Sequence, residues 1–201
     1  MKLYLILFTI LITILIISFL ITMGRKPNVY ELAYKIGTEY LDTIILKPMD
    51  AVMFDIDDTL LYTSNFNPIK PIIKLLKRCS DLGLIIVIIT ARDSRYTRGT
   101  VHDLQNINLY PVFNKKDFVF PKDALFYDYL YLRHNPEENH ELFKSDVKKR
   151  LLDELKIKIV MSVGDNEIDV VGNYSGFGIK LPNERDPRLF YKENNNLIPL
   201  N

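Results

Sequence analysis

Ala51-Val52-Met53-Phe54-Asp55-Ile56-Asp57-Asp58-Thr59 is an apolar run that turns abruptly into three carboxylates and a hydroxyl. A short continuous apolar run of this kind reads as a strand buried on both faces, as in a parallel sheet. The pattern recurs twice. Leu84 to Ile89 runs into Thr90-Ala91-Arg92-Asp93, and Ile157 to Val163 runs into Gly164-Asp165-Asn166-Glu167-Ile168-Asp169. Helical spacing fills the intervals. A helix is expected over 29–41, where Tyr30, Ala33, Tyr34, Ile36 and Leu41 recur. A second, over 68–82, takes Asn67 as N-cap and Pro68 as its first residue. It carries Ile72, Leu75, Leu76 and Cys79 on one face and stops at Gly83. Further helices are expected over 97–107 and 145–155, the latter with Val147, Leu151, Leu152 and Leu155 on one face. A strand is expected near Phe126 to Leu132 and a last short one at Ile179 to Leu181. Strands alternating with helices indicate an α/β fold with a mainly parallel central sheet. Ligands bind such sheets beyond the carboxyl ends of the strands, where the polar clusters sit.

The chain has 201 residues, with 26 Lys and Arg against 25 Asp and Glu. Residues 3–23 carry no charge, and 17 of those 21 are hydrophobic. Residues 24–201 are neutral overall and numerous enough for one domain with a sizeable core. Neutrality argues against a broad nucleic-acid footprint, which shows as a basic excess. The abundance of apolar residues argues against disorder. A single cysteine, Cys79, excludes an internal disulfide framework and a CxxC metal site.

As a helix, Leu3 to Met23 spans about 31 Å, close to one hydrocarbon core. It is longer than a signal-peptide core, and Ile21-Thr22-Met23-Gly24 is a poor cleavage site. The reading is an uncleaved, single-pass transmembrane anchor, with a cleaved signal as the alternative. Arg25, Lys26 and Lys35 lie after the segment, whereas Lys2 and the amino terminus precede it, and this favours a cytosolic domain by a small margin, with a lumenal or extracytoplasmic one as the alternative. The expected organisation is an anchor over 1–23, a linker and helix over 24–48, a catalytic domain over 49–190, and a polar, Asn-rich tail over 191–201.

Taken singly, each polar cluster reads as a helix cap or a turn. Together they resemble the haloacid dehalogenase superfamily of phosphotransferases, whose pattern is DxDxT, a Thr or Ser after a second strand, a Lys, and GDxxxD. Here these are Asp55, Asp57 and Thr59; Thr90; Lys144; and Asp165 with Asp169. The resemblance spans about 50–185. Within the superfamily the chain is most similar to the subfamily IIIB acid phosphatases, the type of plant vegetative storage proteins and bacterial lipoprotein nucleotidases. Tyr131-Leu132-Arg133, Phe143-Lys144-Ser145, Val163-Gly164-Asp165 and Lys180-Leu181-Pro182-Asn183 carry that closer likeness. It implies a Rossmannoid three-layer sandwich. Only 30 residues separate Thr59 from Thr90 and 53 separate Thr90 from Lys144, which leaves no room for a large cap domain.

The chemistry is read from the residue types. A carboxylate can attack phosphorus and divide hydrolysis into two steps through an aspartyl-phosphate. Asp55 is the candidate nucleophile and Asp57 the candidate general acid/base. Clustered carboxylates repel a phosphate dianion unless a hard cation such as Mg²⁺ lies between them. The resemblance implies metal ligation by the Asp55 carboxylate, the Asp57 backbone carbonyl and Asp165. Thr90 can hydrogen-bond the phosphoryl group, and Lys144 supplies positive charge to it and to Asp55. Asp169 is expected to orient Lys144 or a metal-bound water, and Thr59 to hold the loop. Arg92, with Arg95, Arg98 and Tyr96, reads either as a holder of a second phosphate or base or as a solvated helix start. Lys148 and Lys149 read as a solvated helix face. His102, His134 and His140 lack metal spacing, and Asn173-Tyr174-Ser175 matches a glycosylation acceptor pattern.

The expected activity is an acid phosphatase-like, Mg²⁺-dependent phosphomonoesterase. Its expected partners are a phosphorylated small molecule, a nucleotide included, or a phosphorylated macromolecule, and a membrane through residues 3–23. The alternatives are a phosphotransferase on the same site and a catalytically silent anchored scaffold.

Overall fold

The computed structural model describes residues 28–112, 119–135, 137, 139–193 and 196–200, together with Ile12. Apart from Ile12, the expected anchor lies outside the described residues. Among the described residues no helix is long and apolar enough to cross a membrane. In chain order the elements are α1 (Val29–Thr43), β1 (Asp50–Phe54), α2 (Lys70–Asp81), β2 (Ile85–Asp93), a 3-10 turn (Ser94–Tyr96), α3 (Thr97–Asn106), β3 (Leu109–Pro111), β4 (Leu125–Tyr127), β5 (Tyr129–Arg133), α4 (His140–Asp153), β6 (Lys158–Gly164), α5 (Glu167–Val170), β7 (Phe177–Lys180), β8 (Leu189–Glu193) and β9 (Asn196–Leu200).

Every residue of β1 is buried, as the unbroken apolarity of its last four residues, Ala51 to Phe54, requires. The main sheet runs β5-β2-β1-β6-β7-β8-β9. Its first five strands are parallel, and β8 and β9 are antiparallel. The fold is therefore mixed α/β with a mostly parallel central sheet. Side chains alternate between its faces. Val52, Phe54, Ile86, Ile88, Met161 and Val163 join Ala33 and Leu41 of α1 and Ile72, Leu75, Leu76 and Cys79 of α2 in one core. Ala51, Met53, Val87, Ile89 and Ile159 meet Phe143, Val147 and Leu151 of α4 in the other. Each Val, Leu, Ile, Phe or Met among them contributes roughly 1.5–3 kcal/mol when buried, so a sheet apolar on both faces needs helices on both.

Several boundaries differ from expectation for local reasons. α2 starts at Lys70, because Asn67 and Ile69 are drawn into the preceding loop. The Asn67 carbonyl accepts the Tyr62 N–H at 2.9 Å, and the Ile69 N–H donates to the Leu60 carbonyl at 2.9 Å. Pro71, and not Pro68, occupies the first turn. The expected strand at Phe126 to Leu132 is two strands. At Asp128 the chain crosses from the small β3–β4 sheet to the main one, its N–H bonding the Ile86 carbonyl at 2.9 Å and its carboxylate accepting the Ile86 N–H at 2.8 Å. α4 begins five residues earlier than expected, at His140, because the Asn139 side chain caps the N–H groups of Glu141 and Leu142. Strands β8 and β9 extend the sheet where the sequence suggests only a polar end.

The turn into β7 is tight. Gly176 has φ of 62°, and a Cβ there would run into the backbone of Val160 on β6. Gly176→Ala should cost more than about 1 kcal/mol, because both the backbone conformation and the contact oppose it. Denaturant unfolding reads this directly, and an unchanged midpoint would contradict the packing described.

Candidate active site

The sheet order sets β1 between β2 and β6, so the three polar clusters emerge side by side. The Asp55 N–H continues the ladder to the Val163 carbonyl at 3.0 Å. The chain then folds back, with the Ile56 carbonyl accepting the N–H groups of Thr59, Leu60 and Leu61 at 3.2, 2.8 and 3.2 Å. Asp58 takes a φ of 51°, and its carboxylate receives the Thr63 N–H and hydroxyl, both at 3.0 Å. Thr59 is fully buried beneath this turn, and its hydroxyl has no hydrogen-bond partner among the described residues.

Asp55 and Lys144 are both buried, and the Lys144 Nζ donates to Asp55 Oδ1 at 2.8 Å. The same ammonium donates to Asp169 Oδ1. The other Asp169 oxygen accepts the Asn166 N–H at 3.0 Å. Asp165 is steadied by the Asn166 side chain at 2.8 Å and by Asn183, which donates to the Asp165 carbonyl at 2.7 Å. Thr90 lies buried at the end of the apolar part of β2, and its hydroxyl accepts the Arg92 N–H at 3.3 Å. Asp55, Asp57, Thr90, His140, Lys144 and Asp165 line one open cleft of about 570 Å³.

Burial alone would push Lys144 down, but Asp55 and Asp169 hold it above its ordinary range and cationic. Burial pushes the Asp55 carboxyl above its ordinary range, and the Lys144 ammonium opposes this. Burial and Asp169 push Asp165 up to about 6. One ammonium thus binds two buried carboxylates, Asp55 and Asp169, with a third, Asp165, close by. An oxygen from each of Asp55, Asp165 and Asp169 lies within 4.8 Å of the others, which is a set that could hold a metal ion. All are hard oxygen donors, suited to a cation such as Mg²⁺. Both Asp169 oxygens accept hydrogen bonds, one of them from the Lys144 ammonium, whereas the Asp165 oxygens accept only from the neutral side-chain amides of Asn166 and Asn183, so Asp55 and Asp165 are the better-placed ligands.

The structure brings Asp55, Asp57, Thr90, Lys144, Asp165 and Asp169 to one end of the sheet. It corrects two readings. Arg92 is not turned to the cleft as a free phosphate holder. Its Nε and Nη2 bind the two oxygens of Asp57 at 2.8 and 2.7 Å, and its Nη1 binds Asp103 at 2.7 Å. Lys148 is not solvated, although Lys149 is exposed. Lys148 is buried, with its ammonium on the Asp169 carbonyl and, at 2.9 Å, on the Ser175 hydroxyl. Burial pushes it down to about 7. Its spacing, one turn beyond Lys144 and beside the buried Val147 and Leu151, is the signal in the sequence that points to burial. His140 and Asn183 also belong to the cleft, although their spacing alone gives neither a role there. Arg95 pairs with Asp93 at the surface, and His102 is exposed near Asn106.

No protein-family model and no curated protein matches the chain. Among solved structures it is similar to the class C acid phosphatase from Bacillus anthracis, with 20% identity and a TM-score of 0.48 over 72% of this chain and 64% of that one. The class C acid phosphatase from the same organism with tungstate bound gives 22% identity and a TM-score of 0.49 over the same shares. A chain of a Pnkp1/Rnl/Hen1 complex gives 20% identity and a TM-score of 0.44 over 60% of this chain and 40% of that one. The chain therefore spans less than two thirds of each of these chains.

Proposed function

We propose that this chain is a Mg²⁺-dependent phosphomonoesterase of the haloacid dehalogenase type, with the Rossmannoid core of that superfamily and Asp55 as its nucleophile. One observation carries the reading. A buried carboxylate, Asp55, is held by a buried ammonium beside a second carboxylate, Asp165, with Asp57 and Thr90 on the same cleft. That combination suits attack on phosphorus.

Lys144 occupies one Asp55 oxygen and leaves Oδ2 to form the bond to phosphorus. As that bond forms, the ester P–O bond breaks and Asp57 gives its proton to the departing oxygen. Asp57 then takes a proton from water, which attacks the aspartyl-phosphate. Inorganic phosphate leaves and the Asp55 carboxylate is restored. Thr90 and Lys144 hydrogen-bond the phosphoryl oxygens as charge accumulates on them. Bound by Asp55, Asp165 and the Asp57 carbonyl, Mg²⁺ would neutralise the carboxylates and the incoming phosphate. The open cleft suits phosphorylated small molecules, nucleotides included, and phosphorylated macromolecules. The uncharged residues 3–23 would anchor the enzyme to a membrane, with the catalytic domain on the cytosolic side.

The full chain in detergent is expected to hydrolyse a nitrophenyl phosphate only with Mg²⁺, and Asp55→Asn to lose at least about 10³-fold of this. Retained turnover in Asp55→Asn would refute the mechanism.

A second expectation concerns pH. The folded value of Asp165, about 6, exceeds its ordinary 3.8, so folding binds this proton more tightly. Its stabilising contribution is complete below the ordinary value and lost as pH rises through about 6. Scanning calorimetry of metal-free protein should show the melting temperature falling over that window relative to Asp165→Asn. Mg²⁺ should raise it more at the upper end than at the lower. A Mg²⁺ effect independent of pH would count against Asp165 as a ligand.

For the anchor, full-length protein should stay with membranes through alkaline carbonate washing, and 24–201 should not. Release of the full chain would exclude a spanning segment.

A further inference from the structure

Arg92 lies at the end of β2, where the sequence suggests a hold on a second phosphate. Its guanidinium is otherwise engaged. Two parallel N–H groups grip both oxygens of Asp57, and a third reaches Asp103 on α3. Such a fork fixes the plane of a carboxylate as well as its position, which a point charge cannot do. Asp57 needs that restraint. Its side chain is 35% exposed, whereas that of Asp55 is 6% exposed. Among the described residues no other group hydrogen-bonds its carboxylate. The arginine side chain is only 16% exposed and is braced from behind by Asp103. The Arg92 N–H also donates to the Thr90 hydroxyl. One residue thus links a phosphate-side hydroxyl to the acid/base.

We infer that Arg92, braced by Asp103, is a positioning residue that aligns the Asp57 carboxyl with the leaving-group oxygen, and does not bind the substrate's phosphate. The inference rests on Asp57 being the acid/base of the proposed phosphatase. Alignment of a proton donor matters most where the leaving group is a poor one. An alkoxide departs only with a proton, whereas a nitrophenolate departs without one.

The test compares an alkyl phosphate with nitrophenyl phosphate in the wild type, Arg92→Gln, Arg92→Lys and Asp103→Asn, with Mg²⁺ present. In Arg92→Gln, kcat/KM for the alkyl ester should fall by roughly 10- to 100-fold. For the aryl ester it should fall by less than about threefold, because proton donation contributes little there. The inhibition constant of inorganic phosphate should stay within about twofold, since no phosphate contact is lost. Asp103→Asn should show the same bias more weakly, and Arg92→Lys should recover only part of the loss. Equal losses on both esters, or weaker phosphate inhibition in step with the loss of activity, would overturn the inference. A further measurement does not need turnover. The unfolding free energies of Asp57→Asn, Arg92→Gln and the double variant should be non-additive, and additive effects would refute the pairing. An inactive wild type would refute the phosphatase reading and remove the catalytic role given to Arg92, while the coupling would still decide the pairing.

Discussion

Lys144 places an ammonium at 2% exposure, and much of the domain's arrangement depends on that single burial. Taking such a charge out of water costs several kcal/mol, which only close carboxylates can offset. The two that do so come from different parts of the chain. Asp55 arrives at the end of β1 and Asp169 in the first turn of α5, while Lys144 itself rides on α4. Their meeting therefore requires β1 beside β6 and α4 across both. Gly164 is part of the same requirement, because a Cβ there would run into the Asp169 side chain.

Lys148 secures the arrangement from the backbone side. It holds the Asp169 carbonyl and the Ser175 hydroxyl, which in turn donates to the Val171 carbonyl. The Ser162 hydroxyl on β6 donates to the Ser175 carbonyl at 2.7 Å. Asp169 is thus restrained through its side chain by Lys144 and Asn166, and through its main chain by Lys148. Two lysines one helical turn apart share one segment, the first through a carboxylate and the second through a carbonyl.

The strands and the site were readable in the sequence for the same reason. An apolar run such as Val52 to Phe54 has few destinations other than a sheet buried on both faces, and a polar cluster directly after it must lie at the strand's end. Asp55, Thr90 and Asp165 are placed by that rule. Pairing across the chain is not, because periodicity assigns a residue to an element and a face but not to a partner. Arg92 could have faced substrate or carboxylate on spacing alone, and only the position of Asp103 on α3 decides it. Lys148 was obscured by its charge, although the buried Val147 and Leu151 flank it. The same limit applies to β8 and β9. Leu197 and Ile198 come after a run of asparagines, and their pairing with Lys192 and Tyr191 is a tertiary contact that local composition does not carry.

Charge in the cleft links the fold to the proposed chemistry. Asp55, Asp57, Asp58, Asp165, Glu167 and Glu184 line it, and the Lys and Arg side chains lining it are Lys144 and Arg185. Lys144 is already shared by two carboxylates, and the Arg92 guanidinium is committed to Asp57 and Asp103. A phosphate dianion approaching these side chains alone would meet a net negative field in a partly desolvated space, where repulsion is stronger than in water. The protein supplies too little positive charge to reverse it. A divalent cation between Asp55 and Asp165 would both relieve the buried carboxylates and make the cleft attractive to the ester. On this argument the near-neutral composition of the domain conceals a strongly acidic opening, and under the proposed function affinity for substrate would be a property of the chain and a bound metal together.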